Sequence, residues 1–293
     1  MSMKTDIVIH PSTRERLNDL ILNPFQALLI SGPDGIGKTT VAKYYLSVLL
    51  QCSIDAIDNY KYGLIISPDK KSISIDQIRQ LNEFLTLKTI GSDKIRRFVM
   101  IEHANLMTTA AQNSLLKNLE EPPSDTLIIL TAGHRFSLIP PILSRVQSLE
   151  VYLPTRDMLS EHFQLDDDKF TKIYGLCAGL PGLMAAYVDD NNQKNNEPII
   201  EAFSEARLLL NLSLFDRLCR VEKIAKANYP PYLLTDLLTR MATAALVQQS
   251  QKQNNTPSIL KWQRVLKAGY TASNKLTAGS NVKLSLSELM LNL

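Results

Sequence analysis

The sequence predicts a parallel α/β domain followed by an all-helical region. Three observations carry that prediction. Short β-branched apolar runs alternate with helical patterns up to about residue 153. A glycine-rich loop sits between the first such run and the first such helix. After about residue 155 the strand signal stops and leucine-rich helical stripes take over.

The first run is Gln26–Ser31 (QALLIS), followed by Arg97–Ile101 (RFVMI) and Thr126–Thr131 (TLIILT). Each is bounded by polar or Gly/Pro-rich punctuation, which suits strands buried on both faces of a parallel sheet. Between them Lys38–Gln51, Ile75–Leu87 and Ala110–Glu120 read as helices, the last stopped by Pro122-Pro123, because proline cannot continue a helix. Strands that alternate with helices imply βαβ units. Residues 155–188 read as short helices broken by Gly179, Pro181 and Gly182, and Asp189–Pro198 as an exposed linker. From Ile199 to Leu293 the pattern is helical throughout, with leucine stripes at 208–218, 233–246 and 259–268. Breaks are expected at Tyr229-Pro230-Pro231, at 248–257 and at Gly279. No internal repeat is visible.

Composition narrows the class. Hydrophobic residues make up 45% of the 293, enough to bury a core and to exclude a largely disordered chain. With 32 Lys+Arg against 29 Asp+Glu, the net charge of +3 is too small to hold nucleic acid by bulk charge. The Lys70-Lys71 and Arg96-Arg97 pairs are candidates for local phosphate contact, though solvated surface charge accounts for each more simply. Cys52, Cys177 and Cys219 lie far apart and form no CxxC pair. They suggest neither a disulfide framework nor a thiolate zinc site, so a reducing cytoplasm is the expected location. The N-terminus lacks a long apolar segment, so no signal peptide is expected, and no run of about 18 apolar residues suggests a membrane span.

The strongest chemical signal is Gly32-Pro33-Asp34-Gly35-Ile36-Gly37-Lys38-Thr39, which fits the phosphate-loop pattern G-x-x-x-x-G-K-[ST]. Gly32, Gly35 and Gly37 let the backbone fold into a nest of N–H donors, and the helix opening near Lys38 adds its positive dipole end. Lys38 is expected to reach the β- and γ-phosphates of ATP or ADP, with Thr40 on the same helical turn beside the nucleotide. The Thr39 hydroxyl is expected to ligate Mg²⁺. A chance match in a glycine-containing turn is the bland alternative, but here a predicted strand precedes the loop and a predicted helix follows it.

Hydrolysis would need an acidic pair at the end of a second strand, one carboxylate for the metal shell and one to polarise water. The strand Arg97–Ile101 runs into Glu102-His103. Glu102 can serve the Mg²⁺ shell. His103 is a poor base there, because a protonated imidazole would repel the metal, and it reads more simply as a loop histidine. Downstream, Ala111–Pro123 (AQNSLLKNLEEPP) reads as an amphipathic helix burying Leu115, Leu116 and Leu119. Glu120 and Glu121 point about 100° apart on it, so they read as a solvated helix end. Ser144-Arg145 follows; Arg145 is either a surface salt-bridge residue or an arginine finger aimed at a neighbour's γ-phosphate.

The string Ser74–Val146, with its AAQNSLLKNLEEPP segment, resembles the clamp-loader ATPases of the bacterial DNA polymerase III holoenzyme. NVKLSLSELMLNL at 281–293 resembles the family's closing helix, so the likeness extends over nearly the whole chain. The resemblance implies an AAA+ parallel-sheet base over 1–154, a small helical lid over 155–192 and an all-α collar over 193–293. It also implies partners: other clamp-loader subunits in a hetero-pentameric ring, and through them the sliding clamp and primer-template DNA. No membrane partner is implied.

Carried over position by position, the family's phosphate loop is matched by Gly32, Gly37, Lys38 and Thr39. Its acidic pair is Glu102-His103, so the hydrolytic base is missing. Its Ser-Arg-Cys finger is Ser144-Arg145-Val146, keeping the arginine that acts in trans. Its lid arginine would fall near Gly179–Gly182, where there is none, and only Cys52 stands where four zinc cysteines are expected, so no zinc is expected. Gamma/tau subunits carry all three features; their loss resembles the delta-prime branch. The expectation is an assembly subunit with little ATPase of its own. A working motor subunit is the alternative, and another AAA+ remodelling ATPase a weaker third.

Overall fold

The computed structural model describes residues 7–69, 72–91, 94–188, 197–227, 229–251, 256–277 and 279–293. Lys70-Lys71 and most of the expected linker Asp189–Pro198 lie outside these residues. The chain divides into two compact units, Met1–Thr155 and Arg156–Leu293.

The first unit runs α1 (Pro11–Leu22), β1 (Ala27–Ser31), α2 (Lys38–Leu49), β2 (Gly63–Ile66), α3 (Ile75–Thr86), β3 (Arg97–Ile101), α4 (Thr109–Glu120), β4 (Thr126–Ala132), α5 (Pro140–Leu143) and β5 (Gln147–Glu150). The five strands form one sheet in the order β2-β3-β4-β1-β5, and every pairing is parallel. Every residue of β1, β3 and β4 is buried, as expected of central strands covered on both faces. Alternation sends Leu29, Val99, Ile101, Ile128 and Leu130 into a core shared with α3 and α4, where Ile78, Leu81, Ala111 and Leu115 meet them. On α2, Val41, Ala42, Tyr45 and Leu46 are buried, and this helix packs on β1 and β4.

The helices start where the local chemistry tells them to. Ser74 and Gln77 form a reciprocal capping box at α3, and the Thr108 hydroxyl accepts the Ala111 N–H at the start of α4. The observed ends of β1, α2, α3, α4 and β4 lie within two residues of those expected from the sequence. Four elements were not anticipated: β2, β5, α1 and the four-residue α5. Strands β2 and β5 are four residues each and only partly buried; β5 (QSLE) lacks the apolar run that marks the central strands, whereas β2 (GLII) has a short one that sequence reasoning passed over. Helix α1 carries four charges among its first nine residues and buries only Thr13 and Leu17.

The reading of Arg96-Arg97 as solvated or phosphate-facing charge is wrong. Arg97, 4% exposed, opens β3 with its guanidinium inside the unit. It donates to the Phe84 and Leu85 carbonyls, both at 2.9 Å, and pairs with Asp125 at 3.4 Å. Burial alone would raise the Asp125 carboxyl. Hydrogen bonds from Thr89 and Thr126, together with the charge and hydrogen bond of Arg97, outweigh burial and hold it below the usual carboxylate range.

The second unit is helical: α6 (Arg156–Phe163), α7 (Asp167–Cys177), α8 (Pro181–Val188), α9 (Glu197–Leu209), α10 (Leu214–Ala225), α11 (Pro231–Gln251), α12 (Thr256–Thr277) and α13 (Val282–Asn292). The leucine stripe at 208–218 is not one helix. The chain turns between Leu209 and Leu214, and Ser213 caps α10 by accepting the Asp216 N–H. The breaks expected at Pro230-Pro231 and Gly279 are present. Gly279 takes φ +79° just after α12, and its N–H and that of Ser280 return to Leu276 and Lys275 carbonyls, the usual glycine-terminated helix end. Gly269 marks where α12 lies hard against α11: a β-carbon there would sit 2.6 Å from Thr239 Oγ1.

Candidate functional site

In open parallel sheets a ligand crevice forms beyond the carboxyl ends of the strands, where the strand order reverses. Strand β1 lies between β4 and β5 and ends at Ser31. The loop that follows is tied to β4 by the Gly32 N–H on the Ala132 carbonyl at 3.2 Å. Gly35 and Gly37 take φ of +83° and +96°, a region that glycine enters without strain. Gly32 has its own reason: a β-carbon there would press within 3.1 Å of the Val151 carbonyl. Gly37 is the N-cap of α2 and has no side chain to cap the helix, so the first N–H groups of α2 suit an anion. Thr39 is half-buried and Thr40 exposed on that first turn.

Lys38 does not extend away from the loop. Its ammonium donates to the Gly32 carbonyl at 2.8 Å, the Pro33 carbonyl at 3.2 Å and the Asp34 carboxylate at 2.8 Å. The Lys38 and Asp34 side chains are 6% and 11% exposed, so this is an interior ion pair rather than a surface one.

Beside this pair β3 delivers Glu102 and His103. The Glu102 carboxylate accepts the Ser67 hydroxyl at 2.7 Å, and Ser67 follows β2. His103 takes a left-handed backbone (φ 50°, ψ 48°), and its N–H is held by the Thr131 hydroxyl on β4 at 3.1 Å. That turn aims Nδ1 back at the loop, 3.8 Å from Asp34 Oδ1, where it is buried and has no hydrogen-bond partner among the described residues. His103 stands in a loop with its side chain 38% exposed, and only its Nδ1 faces the crevice.

The fold thus brings together Lys38, Asp34 and His103, with Glu102 and Ser67 next to them. Arg145 makes its contacts elsewhere. Its guanidinium donates to the Pro141 carbonyl at 2.9 Å and to Glu120 at 2.6 Å, and its side chain is 34% exposed. Glu120 is an exposed helix end, as expected, and it also pairs with Arg145. Sequence reasoning passed over Asp34, Ser67 and Thr131. Asp34 occupies a position that the phosphate-loop pattern leaves open, though a charge between loop glycines was a usable signal. Ser67 could not be placed without β2.

The glycine geometry and the uncapped α2 fit a nucleotide phosphate, and Thr39 and Glu102 are oxygen donors of the type that hold Mg²⁺. The residue after Glu102 does not fit the second carboxylate of a hydrolytic pair.

A parallel sheet in the order β2-β3-β4-β1-β5, with a glycine-lysine loop leaving β1, defines a P-loop protein of the AAA+ class. Residues 22–154 match the family described as DNA polymerase III, delta subunit. The delta-prime subunit of Pseudomonas aeruginosa is 32% identical over 145 residues, covering 44% of this chain and 43% of that one. That of Escherichia coli is 28% identical over 192 residues, 64% of this chain and 57% of that one. The DNA polymerase III subunit tau of Bacillus subtilis is 30% identical over 155 residues, 47% of this chain and 27% of that one. The chain spans about half the length of the delta-prime relatives it matches. A DNA polymerase III gamma subunit-related protein of Thermotoga maritima shares the fold, with a TM-score of 0.56 at 19% identity over 94% of this chain and 97% of that one. Among the described residues no helix is long and apolar enough to cross a membrane.

Proposed function

We propose that the chain is a clamp-loader subunit of the delta-prime type: it takes a place in a hetero-pentameric ring, holds ATP or ADP without turning it over, and offers Arg145 to a neighbour's nucleotide. In this reading residues 1–154 are the nucleotide base, 155–192 the lid and 193–293 the collar through which the ring is held. The sliding clamp and primer-template DNA are met through the assembled complex.

The observation that carries this reading is the end of β3, where Glu102 is followed by His103 with Nδ1 directed at Asp34. Gly32, Gly35, Gly37, Lys38, Thr39 and Thr40 would hold the nucleotide, and Thr39 with Glu102 its Mg²⁺. The metal, when bound, would neutralise phosphate charge. No second carboxylate follows Glu102 to take a proton from water, and losing such a contribution typically costs about 10²–10⁴-fold in rate. Arg145 supports the trans role because its side-chain ion pair to Glu120 is exposed and therefore cheap to exchange.

The complete Lys38-Thr39 loop and the retained Glu102 favour the alternative of a working motor subunit. Reconstitution with the organism's other clamp-loader subunits separates the two. The isolated chain should hydrolyse ATP negligibly, even with DNA and clamp present. Turnover near ~1 s⁻¹, the low end of typical enzyme values, lost in Lys38→Ala, would establish the motor reading instead.

A further inference from the structure

The Lys38 ammonium has three N–H donors, and three acceptors of its own loop take them: the Gly32 carbonyl, the Pro33 carbonyl and the Asp34 carboxylate. Two of these acceptors are backbone atoms, positioned by the course of the loop. The third is a side chain four residues before Lys38, and it alone can leave by rotating about its own bonds. It is also the only one of the three that carries a negative charge, as a phosphate does.

We propose that Asp34 is a built-in competitor of nucleotide phosphate: its carboxylate holds the Lys38 ammonium inside the loop and thereby sets the loop's affinity for nucleotide. This rests on the nucleotide reading of the loop. A phosphate can take the ammonium only by turning Asp34 away. The displaced carboxylate stays on the same short loop, close to the phosphate charges and only 11% exposed in its present place. Like charges held this close repel, so a carboxylate at this position opposes binding both before and after it moves. A loop closed on itself in this way favours a subunit that keeps its place in an assembly whether or not nucleotide is bound.

The test is calorimetric titration of the full chain with Mg-ADP and with Mg-ATP, comparing wild type, Asp34→Asn, Asp34→Ala, Lys38→Ala and the Asp34→Asn/Lys38→Ala double variant. Thermal unfolding of each variant establishes that it is folded, and the two Asp34 replacements cover for one another. Asp34→Asn and Asp34→Ala are expected to bind about tenfold tighter than wild type, and Lys38→Ala is expected to remove that gain. Should both Asp34 variants bind no tighter than wild type while Lys38→Ala still weakens binding, the loop is a nucleotide site and the role given to Asp34 is wrong. Absence of binding in every variant overturns the nucleotide reading and the Asp34 proposal together.

Discussion

The Arg145 guanidinium lies 2.6 Å from the Glu120 carboxylate at the end of α4. Both side chains are substantially exposed, at 34% and 51%, and exposed pairs contribute only about 0–1 kcal/mol. Arg145→Ala should therefore leave the unfolding midpoint of the isolated chain nearly unchanged. In the reconstituted complex it should lower ATP turnover by about tenfold or more, since arginine fingers contribute about 10³–10⁵ at a single site. Glu120→Gln should stay within about twofold of wild type. If complex turnover is indifferent to Arg145→Ala, the arginine is a surface residue and the trans role is lost.

A second ion pair behaves differently because it is inside. Arg97 and Asp125 are 5% and 9% exposed at their side chains. Removing Arg97 leaves the buried carboxylate with only the partly exposed Arg96, 3.5 Å away, as counter-charge, and breaking such a pair costs up to about 3–5 kcal/mol. Urea unfolding of Arg97→Ala at neutral pH should report a loss of this size. Asp125 adds a pH signature. Its folded value is lowered, so its contribution is fully present above the unfolded value of about 3.9 and is lost as pH falls through the lower folded one. The stability gap between wild type and Asp125→Asn should thus be wide at neutral pH and close toward pH 3. A gap that is constant with pH would mean that the carboxylate is not held in its charged form by this network.

These two arginines mark the limit of what residue patterns disclose. The central strands, the phosphate loop and the three helices between them were legible because a buried parallel strand needs an unbroken apolar run and the intervening segments carry helical patterns, the last ended by a double proline. Strand β5 was not, because QSLE at a sheet edge carries no such run, and in β2 the run is only Leu64-Ile65-Ile66, too short to stand out from its surroundings. Missing β2 also hid Ser67 and its bond to Glu102. Arg96-Arg97 was misread because adjacent charges in sequence look like surface, whereas the first residue of β3 is buried whatever its type. Asp34 stayed invisible for the opposite reason: the loop motif constrains its glycines and lysine and is silent about the residue that competes with the ligand.

The three cysteines should separate by reactivity. Cys219 is exposed, Cys52 half-buried and Cys177 buried. Burial pushes the Cys177 thiol up to about 12 and raises that of Cys52, and the thiolate is the reactive form. A disulfide reagent at pH 8 should therefore modify one thiol quickly, with Cys52 slower and Cys177 reacting only as the protein unfolds. Cys219→Ser should remove the fast phase. A fast phase that survives this substitution would place the exposed thiol elsewhere.

In the helical unit the sharpest packing test is Gly269. In an exposed helix, Gly→Ala stabilises by about 1 kcal/mol. Here the added β-carbon would lie 2.6 Å from Thr239 Oγ1 and 3.4 Å from the Thr235 carbonyl. The Thr239 hydroxyl is itself engaged, donating to that same carbonyl at 2.6 Å, so it cannot turn aside without giving up a bond. Gly269→Ala should therefore destabilise by about 1–3 kcal/mol, the usual cost of overpacking, measured as a lower urea midpoint. Thr239→Ala removes the obstructing oxygen, and the double variant should recover most of that loss, because residues in contact do not act additively. Additive effects would show that α11 and α12 can move apart at this point without cost, and that the glycine is there for some other reason.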